Sequence, residues 1–391
     1  MRPRTLLRIT LTLALLLGGF AACGKDEAPK KDKSAKSKKD KDDDDDGEEK
    51  VDPALVKKAE ELEKSIKNGR LPREATDDKG NAPAVVYLAK SATEPETRAA
   101  GFYGMYSMFA SNEKDEKRTM VDDAYRETVL EALDTKTEGK VLAAALKASM
   151  RLLGQKPPDD KTVAAVIDLY EKHEKPEGRL EALEVLRNAQ AKGDDVKKTY
   201  LDAMKAKEAF IVSRALSDAP SSPKEGMMYW DRAMELLKHE DPGVRGRAAQ
   251  LIGHLSARDP KKGEEAGKAL VPLLEDENNF TKSAAADGLA WAKYMPAVHK
   301  IMPLLDNDEE NRYDIRGFER LSGGQSRLHH DGSAWSVVRD AALYALKRMS
   351  SKTGERFDYK VSGKTKKADL DMAVADAKTW YGKVKGEIPT T

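Results

Sequence analysis

The side chains best suited to catalysis or metal binding lie between residues 309 and 335. His329, His330 and Asp331 could ligate a metal, but they lack the i, i+4 spacing by which a helix turns two imidazoles toward one ion. As acid–base groups they have no evident nucleophile partner, because the single cysteine, Cys23, lies near the start of the chain. The sequence therefore predicts polar loop residues here, with no catalytic residue, no metal ligand and no cofactor.

The same segment contains a five-residue match to a nucleotide-binding motif. Residues 321–325 read Leu-Ser-Gly-Gly-Gln, identical to the signature of ABC transporter ATPases. That motif works only on a domain with a phosphate-binding P-loop before it and a strand after it. The only Gly-Lys-Thr, at 363–365, follows the motif, and no strand is expected after Gln325 because a helix resumes at Val337. We interpret the match as chance.

Aromatic and cationic residues are mixed along the segment 309–335, which is longer than the corresponding turns elsewhere in the chain. Long loops are usually either functional or disordered, and aromatic residues interleaved with Arg and His argue against disorder. We therefore predict that this segment contacts a protein or peptide partner. The candidate partner-binding residues are Tyr313, Arg316, Phe318, Arg320, Arg327, His329, His330 and Trp335.

The composition favours helices and argues against nucleic-acid binding. Of the 391 residues, 35% are charged and only 6% are aromatic, and Ala, Leu, Lys and Glu are abundant. The formal net charge is +1, but the first 22 residues hold three arginines and no acid, so the remainder is slightly acidic. Binding to phosphate backbones depends on a surplus of Lys and Arg. We therefore expect no nucleic-acid partner.

Apolar residues recur at helical spacing from Pro53 onward, in segments separated by Gly, Pro, Asp and Asn. Two stripes are clear: Val244, Ala248, Leu251, Ile252 and Leu255, and then Val338, Ala341, Ala342, Ala345, Leu346 and Met349. Weaker stretches of the same kind cover residues 97–100, 140–150, 180–189 and 209–215. This periodicity predicts amphipathic helices that each bury one face.

The turns that precede these stripes resemble those of HEAT repeats. Residues 236–249 contain Leu-Leu, an Asp-Pro turn, Val-Arg and an Ala pair, in the order typical of that family. Related copies cover 271–286 and, around the long insertion, 301–342. The resemblance implies an all-α fold, a right-handed α-α superhelix of HEAT-like units over residues 53–350, with the weaker stretches as second helices of earlier units.

The resemblance also assigns structural roles. Asp241 and Arg245, with their counterparts Asp306 and Arg339, look like the ladder of Asp and Arg that ties adjacent turns in that family. We therefore interpret these four as structural residues. The open end of a solenoid must be covered, and residues 351–391 are predicted to form a C-terminal capping helix and tail.

The first residues have the pattern of an export signal. Three arginines precede the short apolar run 9–17, which is too short to span a bilayer, and Phe20-Ala21-Ala22-Cys23 follows. This tetrapeptide resembles the lipobox of bacterial lipoproteins, although Phe20 replaces the usual Leu. The resemblance implies a signal peptide over 1–22 and a lipid on Cys23. An ordinary secretory signal cut near Ala22 is the alternative.

The resemblance also predicts where the chain resides. Residue 24 is Gly, whereas the retention rule of enteric bacteria keeps lipoproteins in the inner membrane mainly through Asp at this position. We expect a lipid-anchored protein of the bacterial cell envelope, in the outer membrane and facing the periplasm, with an outward-facing position as the alternative. Residues 23–52 are almost entirely charged or small, without an aromatic residue, and predict a disordered linker between the lipid and the folded body.

Two functional hypotheses follow from these patterns. The first is a membrane-anchored, periplasm-facing repeat scaffold, without enzyme activity, that binds a protein or peptide partner of the envelope. The second is an envelope enzyme or metal-dependent binder that uses the insertion 309–335. A purely structural spacer, which would have no partner, is a third possibility.

Overall fold

The computed structural model of the chain describes residues 51–111, 118–323, 325–330, 337–358 and 367–390. The described part of Val51–Thr391 packs as one unit. The predictions for the signal peptide, for the lipid on Cys23 and for nearly all of the linker lie outside the described residues, as does the Gly-Lys-Thr at 363–365.

Helices dominate the described residues, and only four short strands interrupt them. The helices are α1 (Pro53–Ser65), α2 (Arg73–Asp77), α3 (Ala82–Ser91), α4 (Pro95–Met108), α5 (Asp123–Ala132), α6 (Gly139–Leu153), α7 (Asp160–Lys172), α8 (Pro176–Asn188), α9 (Asp194–Ala203), α10 (Ala209–Asp218), α11 (Pro223–Gly226), α12 (Trp230–Leu236), α13 (Pro242–Ser256), α14 (Pro260–Leu270), α15 (Asn279–Ala292), α16 (Val298–Ile301), α17 (Val338–Ser350) and α18 (Lys367–Val384). The strands are β1 (Phe109–Ala110), β2 (Thr119–Met120), β3 (Tyr313–Glu319) and β4 (Gln325–His330). Short 3-10 turns extend several of the helices.

Most of these helices alternate between two layers. The A layer consists of α3, α5, α7, α9, α12, α14 and α16, and the B layer consists of α4, α6, α8, α10, α13, α15 and α17. Each B helix packs against the next B helix and against its own A helix. This is the predicted all-α, HEAT-like solenoid. The four weaker stretches lie in α4, α6, α8 and α10, so their prediction as second helices is confirmed.

The helix starts follow from local chemistry. Asp241 accepts a hydrogen bond from the backbone N–H of Val244 at 3.1 Å, and Pro242 occupies the first turn of α13. Asp159 caps α7 in the same way through the N–H of Thr162 at 2.8 Å. A cap satisfies one of the backbone donors that a helix start leaves open, and proline at the first helical position gives up no hydrogen bond.

Small residues allow the B helices to approach closely. A Cβ atom on Gly253 of α13 would lie only 2.3 Å from the Cα of Gly288 in α15. The Ala pair of α13, Ala248 and Ala249, is fully buried. The backbones of α13 and α15 therefore touch, and little space remains for any side chain between them.

Ion pairs tie successive repeats together at the turns. The guanidinium of Arg245 donates two hydrogen bonds to Asp276 of the next repeat, at 2.8 and 2.9 Å, and a third to the carbonyl of His239 at 2.9 Å. Of the other residues predicted for this ladder, Asp306 pairs with Lys378 at 2.7 Å and Arg339 lies 4.0 Å from Asp371. Arg245 thus bridges two repeats, whereas Asp306 and Arg339 face α18.

The last helix, α18, lies against the final repeat. The indole N–H of Trp380 donates to the carbonyl of Glu355 at 2.9 Å, and its ring packs beside buried Phe357. The Tyr381 hydroxyl and Nδ1 of His299 share a hydrogen bond of 2.7 Å. These contacts cover the apolar edge that α16 and α17 would otherwise expose.

The long insertion of the last repeat forms an antiparallel hairpin of β3 and β4. Tyr313 pairs with His330 and Ile315 with Leu328, and a bulge interrupts the register between Arg316 and Phe318. The expectation that no strand follows Gln325 was therefore wrong, because Gln325–His330 is β4. A strand this short is stabilised by its partner strand, so its own residues carry little signal.

Candidate functional site

The hairpin folds back onto the B layer. The Phe318 ring is 2% exposed and stacks on the ring of Phe210, at the start of α10, with the centroids 4.6 Å apart and the planes at 20°. Aromatic pairs at this separation contribute about 0.5–1.5 kcal/mol beyond the area they bury. Phe318 therefore packs against its own chain.

Polar contacts extend this docking across several repeats. Arg320 donates two hydrogen bonds to Glu184 of α8, at 2.6 and 3.3 Å, and the backbone N–H of Leu321 donates to Glu181 at 2.9 Å. The hydroxyl of Tyr313 donates to Asp241 at 3.1 Å, and burial together with Asp241 raises its pKa to about 12. The hairpin thus leaves the last repeat and reaches α8, four repeats earlier.

The partner-binding residues predicted from the sequence are only partly described. Tyr313, Phe318 and Arg320 meet the scaffold, as given above, and in this conformation the Phe318 ring is inaccessible to a partner. Four of the remaining candidates lie on the strands, but their side chains are not described: Arg316, Arg327, His329 and His330. Trp335 lies outside the described residues.

A groove lies on the B layer beside this region. It encloses about 530 Å³ and is lined by residues of α10, α13, α15 and α17. Its buried apolar wall includes Leu216 and Leu251. Its polar lining consists of Ser217, Ser221, Arg247, Gln250, His254, Asp287, Trp291 and Tyr344. We call this surface the B-face groove.

One end of the B-face groove is built around Trp291. The guanidinium of Arg348 lies 3.7 Å from the centroid of the indole, and the His254 ring lies nearly perpendicular to the same indole, with 4.7 Å between the centroids. Arg348 also donates a hydrogen bond to the hydroxyl of Tyr344 at 3.1 Å. A cation held over an aromatic face contributes about 0.5–2 kcal/mol, so these side chains hold one another in place.

Burial controls the charges at this end. Asp287 is 7% exposed, and burial raises its pKa to about 6, although the charge of Arg348 and a hydrogen bond from Trp291 act in the opposite direction. The pKa of His254 is lowered, first by burial and then by the charge of Arg348. At neutral pH the groove therefore holds an ionised Asp287 and a neutral His254.

Ion pairs connect the docked hairpin to α10, which contributes Leu216 and Ser217 to the groove. Glu184, which holds Arg320, also accepts from Arg214 at 2.6 Å. Arg214 lies 3.3 Å from Asp218, whose fully buried carboxylate also lies 3.1 Å from Arg187. Burial raises the pKa of Asp218 to about 6, and the neighbouring arginines limit that rise.

Sequence reasoning missed the B-face groove. Two of its helices contribute polar positions four residues apart, Gln250 and His254 on α13 and Asp287 and Trp291 on α15. That spacing places such residues on one helix face. The sequence therefore carries a signal for each polar face, but which faces meet in a groove depends on how the repeats stack.

Among the residues that the structure describes, no group of three or more His, Cys, Asp or Glu side chains is placed to hold a metal ion. None of the helices described is both long enough and apolar enough to cross a bilayer.

Known proteins resemble the chain through its helical repeats. A family model of HEAT repeats matches residues 231–316. No curated protein matches the chain. The solved structures that match include an engineered protein, 18% identical, with 85% of this chain and 83% of that chain covered and a TM-score of 0.44. Another is the archaeal HEAT-like repeats protein from Thermococcus onnurineus, 14% identical, with 62% and 93% covered and a TM-score of 0.39.

Importin-beta from yeast also matches, at 11% identity and a TM-score of 0.45, with 78% of this chain and 42% of the importin chain covered. The chain therefore spans less than half the length of that protein. The matched residues 231–316 coincide with helices α12 to α16 and with the clearest sequence copies. The chain therefore contains a HEAT-repeat helical solenoid domain.

Proposed function

We propose that the chain is a lipid-anchored HEAT-repeat scaffold of the bacterial cell envelope that binds a protein or peptide partner in its B-face groove. The observation that carries this proposal is the groove itself, which four successive B helices build together. Solenoids bind partners along such continuous surfaces. We place the anchor at Cys23, in the outer membrane and facing the periplasm, as the first residues of the chain indicate.

The chemistry of the groove suits a protein partner. Interfaces are enriched in aromatic residues, Met and Arg around an apolar centre. The B-face groove offers Trp291, Tyr344 and Arg247 beside the apolar Leu216 and Leu251. These side chains are already fixed by packing within the scaffold, so binding would cost little further conformational entropy.

A membrane tether fits this role. A flexible linker of about 30 residues, as predicted for 23–52, spans about 30 Å as a root-mean-square distance. Such a tether would confine the scaffold close to the membrane and raise the effective concentration of membrane partners. Cys23→Ser should move the chain from the membrane pellet to the soluble fraction, and Ser34→Ala within the same linker should leave it in the pellet. Retention of Cys23→Ser in the pellet would refute the lipid anchor.

The groove is tested with the full chain, solubilised in detergent and used to capture partners from envelope membranes. Tyr344→Ala removes an aromatic wall of the groove, and we expect about tenfold less partner, the effect of a side chain worth about 1.4 kcal/mol in binding. Tyr87→Ala is the matched control, because Tyr87 is a half-buried tyrosine on A-layer helix α3. Equal recovery with both variants would rule out the groove as the binding surface. No recovery with any chain would argue against a scaffold.

The competing hypothesis of an enzyme or metal-dependent binder concerns the insertion 309–335. The described residues there, including Phe318 and Arg320, serve to dock the hairpin. Metal analysis of the purified chain tests this hypothesis, and a stoichiometric metal lost with His330→Ala would favour it over the scaffold.

A further inference from the structure

We infer that Asn68 is a modification site, where the residue loses its side-chain amide and becomes aspartate or isoaspartate. The attacking group is the backbone nitrogen of Gly69, so the reaction needs no enzyme and no reactant other than water. Asn68 lies in the turn between α1 and α2. The inference is independent of the proposed function. It follows from the conformation of this turn, the hydrogen bonding of the asparagines and the charges beside the site.

The turn at Asn68 has an unusual backbone conformation. The φ angles of Asn68 and Gly69 are +52° and +70°. Lys67 and Arg70 exchange two backbone hydrogen bonds across the turn, at 2.9 and 3.1 Å. Two positive φ angles within such a bonded pair define a type I′ turn, for which Asn-Gly is a preferred sequence. All four residues are exposed, so water reaches the Asn68 amide.

The reaction begins when the Gly69 nitrogen attacks Cγ of Asn68. The N–Cγ bond forms, the Cγ–Nδ2 bond breaks, and the leaving group takes up the amide proton and departs as ammonia. Water then opens the resulting cyclic imide. Its addition at Cγ gives aspartate, and its addition at the backbone carbonyl carbon gives isoaspartate, in which the main chain runs through Cβ and Cγ. Because the attacking and attacked groups belong to adjacent residues, the first step is intramolecular.

The turn allows this attack without coming apart. In a type I′ turn the Gly69 nitrogen points away from the Asn68 side chain, and rotation of the peptide plane between the two residues brings it toward Cγ. The rotation produces a type II′ turn, in which Asn68 keeps its positive φ and only the φ of Gly69 changes sign. Glycine adopts either sign, and beyond its chain neighbours no heavy atom lies within 4 Å of where a Gly69 Cβ would be.

Hydrogen bonding distinguishes Asn68 from the other asparagines that the structure describes. Among the described residues, Asn68 forms no side-chain hydrogen bond, and neither does the peptide group that joins it to Gly69. A bonded amide must first break its contact before it reacts. The six other described asparagines all have such a bond: Asn81, Asn188, Asn278, Asn279, Asn307 and Asn311. Asn68 is also the only asparagine of the sequence that precedes a glycine.

The charges beside the turn favour the attack. The Gly69 nitrogen attacks after it loses its proton, and the oxygen on Cγ then carries negative charge. Lys67 and Arg70 lie on either side of the Asn-Gly pair, and neighbouring cations stabilise negative charge as it develops. The carboxylate of the product would lie beside the same two cations, in place of a neutral amide.

Mass spectrometry of the full chain, kept in detergent at pH 8 and 37 °C in H₂¹⁸O, tests the inference. Cleavage after glutamate in ordinary water releases residues 64–74, and incorporated ¹⁸O marks conversion that preceded the digestion. Asn188 is the internal control, because it is exposed and precedes Ala189, whose Cβ hinders the attack. We expect Asn68 to convert at least about tenfold faster than Asn188, which corresponds to a barrier about 1.4 kcal/mol lower. The rate should rise with pH, since the attacking nitrogen must lose its proton.

A synthetic peptide of residues 64–74 measures the rate without the fold. We expect Asn68 in the folded chain to convert within about tenfold of the peptide, which limits the cost of the fold to about 1.4 kcal/mol. A folded chain that reacts more slowly than this would show that the turn protects Asn68, and the inference would be overturned. Conversion of Asn68 no faster than that of Asn188 would overturn it as well.

Variants assign the reaction to one residue. Asn68→Gln should remove the ¹⁸O label from residues 64–74, because the longer side chain must close a larger and less favourable ring. Asn188→Gln is the matched control and should leave the labelling of residues 64–74 unchanged. The products at Asn68, separated by chromatography, should include isoaspartate, which direct hydrolysis of the side chain cannot give. Label without isoaspartate, or label that persists in Asn68→Gln, would show that the Gly69 nitrogen is not the attacking group.

Discussion

The docking of the hairpin makes a quantitative prediction for Phe318→Ala. The ring of Phe318 is 2% exposed and stacked on Phe210. Truncation of a buried Phe to Ala costs about 3–5 kcal/mol, and the partly exposed Arg320 pair adds about 1 kcal/mol or less to docking. We expect the variant to lose about 3 kcal/mol of docking free energy, which raises the undocked population about 100-fold.

Hydrogen exchange measured by mass spectrometry reads this population directly. The amides of β3, Tyr313–Glu319, should exchange about 100-fold faster in Phe318→Ala, because exchange there requires the hairpin to open. The amides of α15 should keep their protection. Phe210→Ala removes the other ring of the stack and should give the same local acceleration, so the double variant should add less than the sum of the two single ones.

Two results would refute the reasoning. Unchanged exchange in β3 would show that the aromatic stack does not hold the hairpin. Equal acceleration in β3 and α15 would show that Phe318 supports the whole solenoid and not the hairpin alone.

Three further predictions concern ion pairs, buried acids and helix packing. A double-mutant cycle of Arg320→Gln and Glu184→Gln, measured by urea unfolding, should give a coupling energy of about 1 kcal/mol. Zero coupling would show that this ion pair does not stabilise the docked hairpin. Asp287 has a folded-state pKa of about 6 against an ordinary 3.8, so the folded protein binds the proton more tightly and stability falls as pH rises from 3.8 to 6. Asp287→Asn should remove up to about 3 kcal/mol of that decline, so the unfolding free energy of the variant should depend less steeply on pH between 4 and 6. An unchanged slope would contradict the raised pKa of Asp287. Gly253→Ala places a methyl group 2.3 Å from the Cα of Gly288 and should lower the unfolding free energy by about 1–3 kcal/mol. Unchanged thermal stability would show that α13 and α15 can move apart to accept the methyl group without cost.

The helix pairs could be predicted from the sequence because their signals are local. The stripe from Val244 to Leu255 lies within one helix, and the Asp241 cap lies three residues before the backbone N–H that it serves. Such patterns repeat in each unit, so even the weak stretch 209–215 was assigned to a second helix. The family match over 231–316 covers the segment in which these signals are clearest.

The hairpin and the groove could not be predicted because their contacts join distant residues. The strand Gln325–His330 is stabilised by Tyr313–Glu319, and no helical period marks either segment. Arg247, Asp287 and Tyr344 meet in the groove only because three successive repeats stack. Which residues of different repeats come into contact depends on how the helices of the solenoid stack. The spacing of apolar residues within one helix does not specify that stacking.

The fate of Phe318 shows how far residue types can be interpreted. The sequence predicts that Phe318 contacts a partner, and in the structure its ring is buried within the chain. The residue type does not say whether the contact lies in a partner or in the same chain, and here Phe210 supplies it. Tyr313 likewise meets Asp241 in the turn before α13, and Arg320 meets Glu184 of α8.

The docked hairpin has a consequence for the groove. Glu184 binds both Arg320 of the insertion and Arg214 of α10, and Arg214 in turn holds Asp218 at the groove edge. Through Arg320 on Glu184 of α8 and through the Tyr313 hydroxyl on Asp241, just before α13, the hairpin connects repeats beyond the contacts of neighbouring helices. A groove built from separate repeats depends on the spacing of its helices, and each connection that fixes this spacing lowers the entropy lost when a partner binds. Under the proposed function, the insertion would therefore contribute to recognition through the shape of the B layer, even where its own side chains face the scaffold.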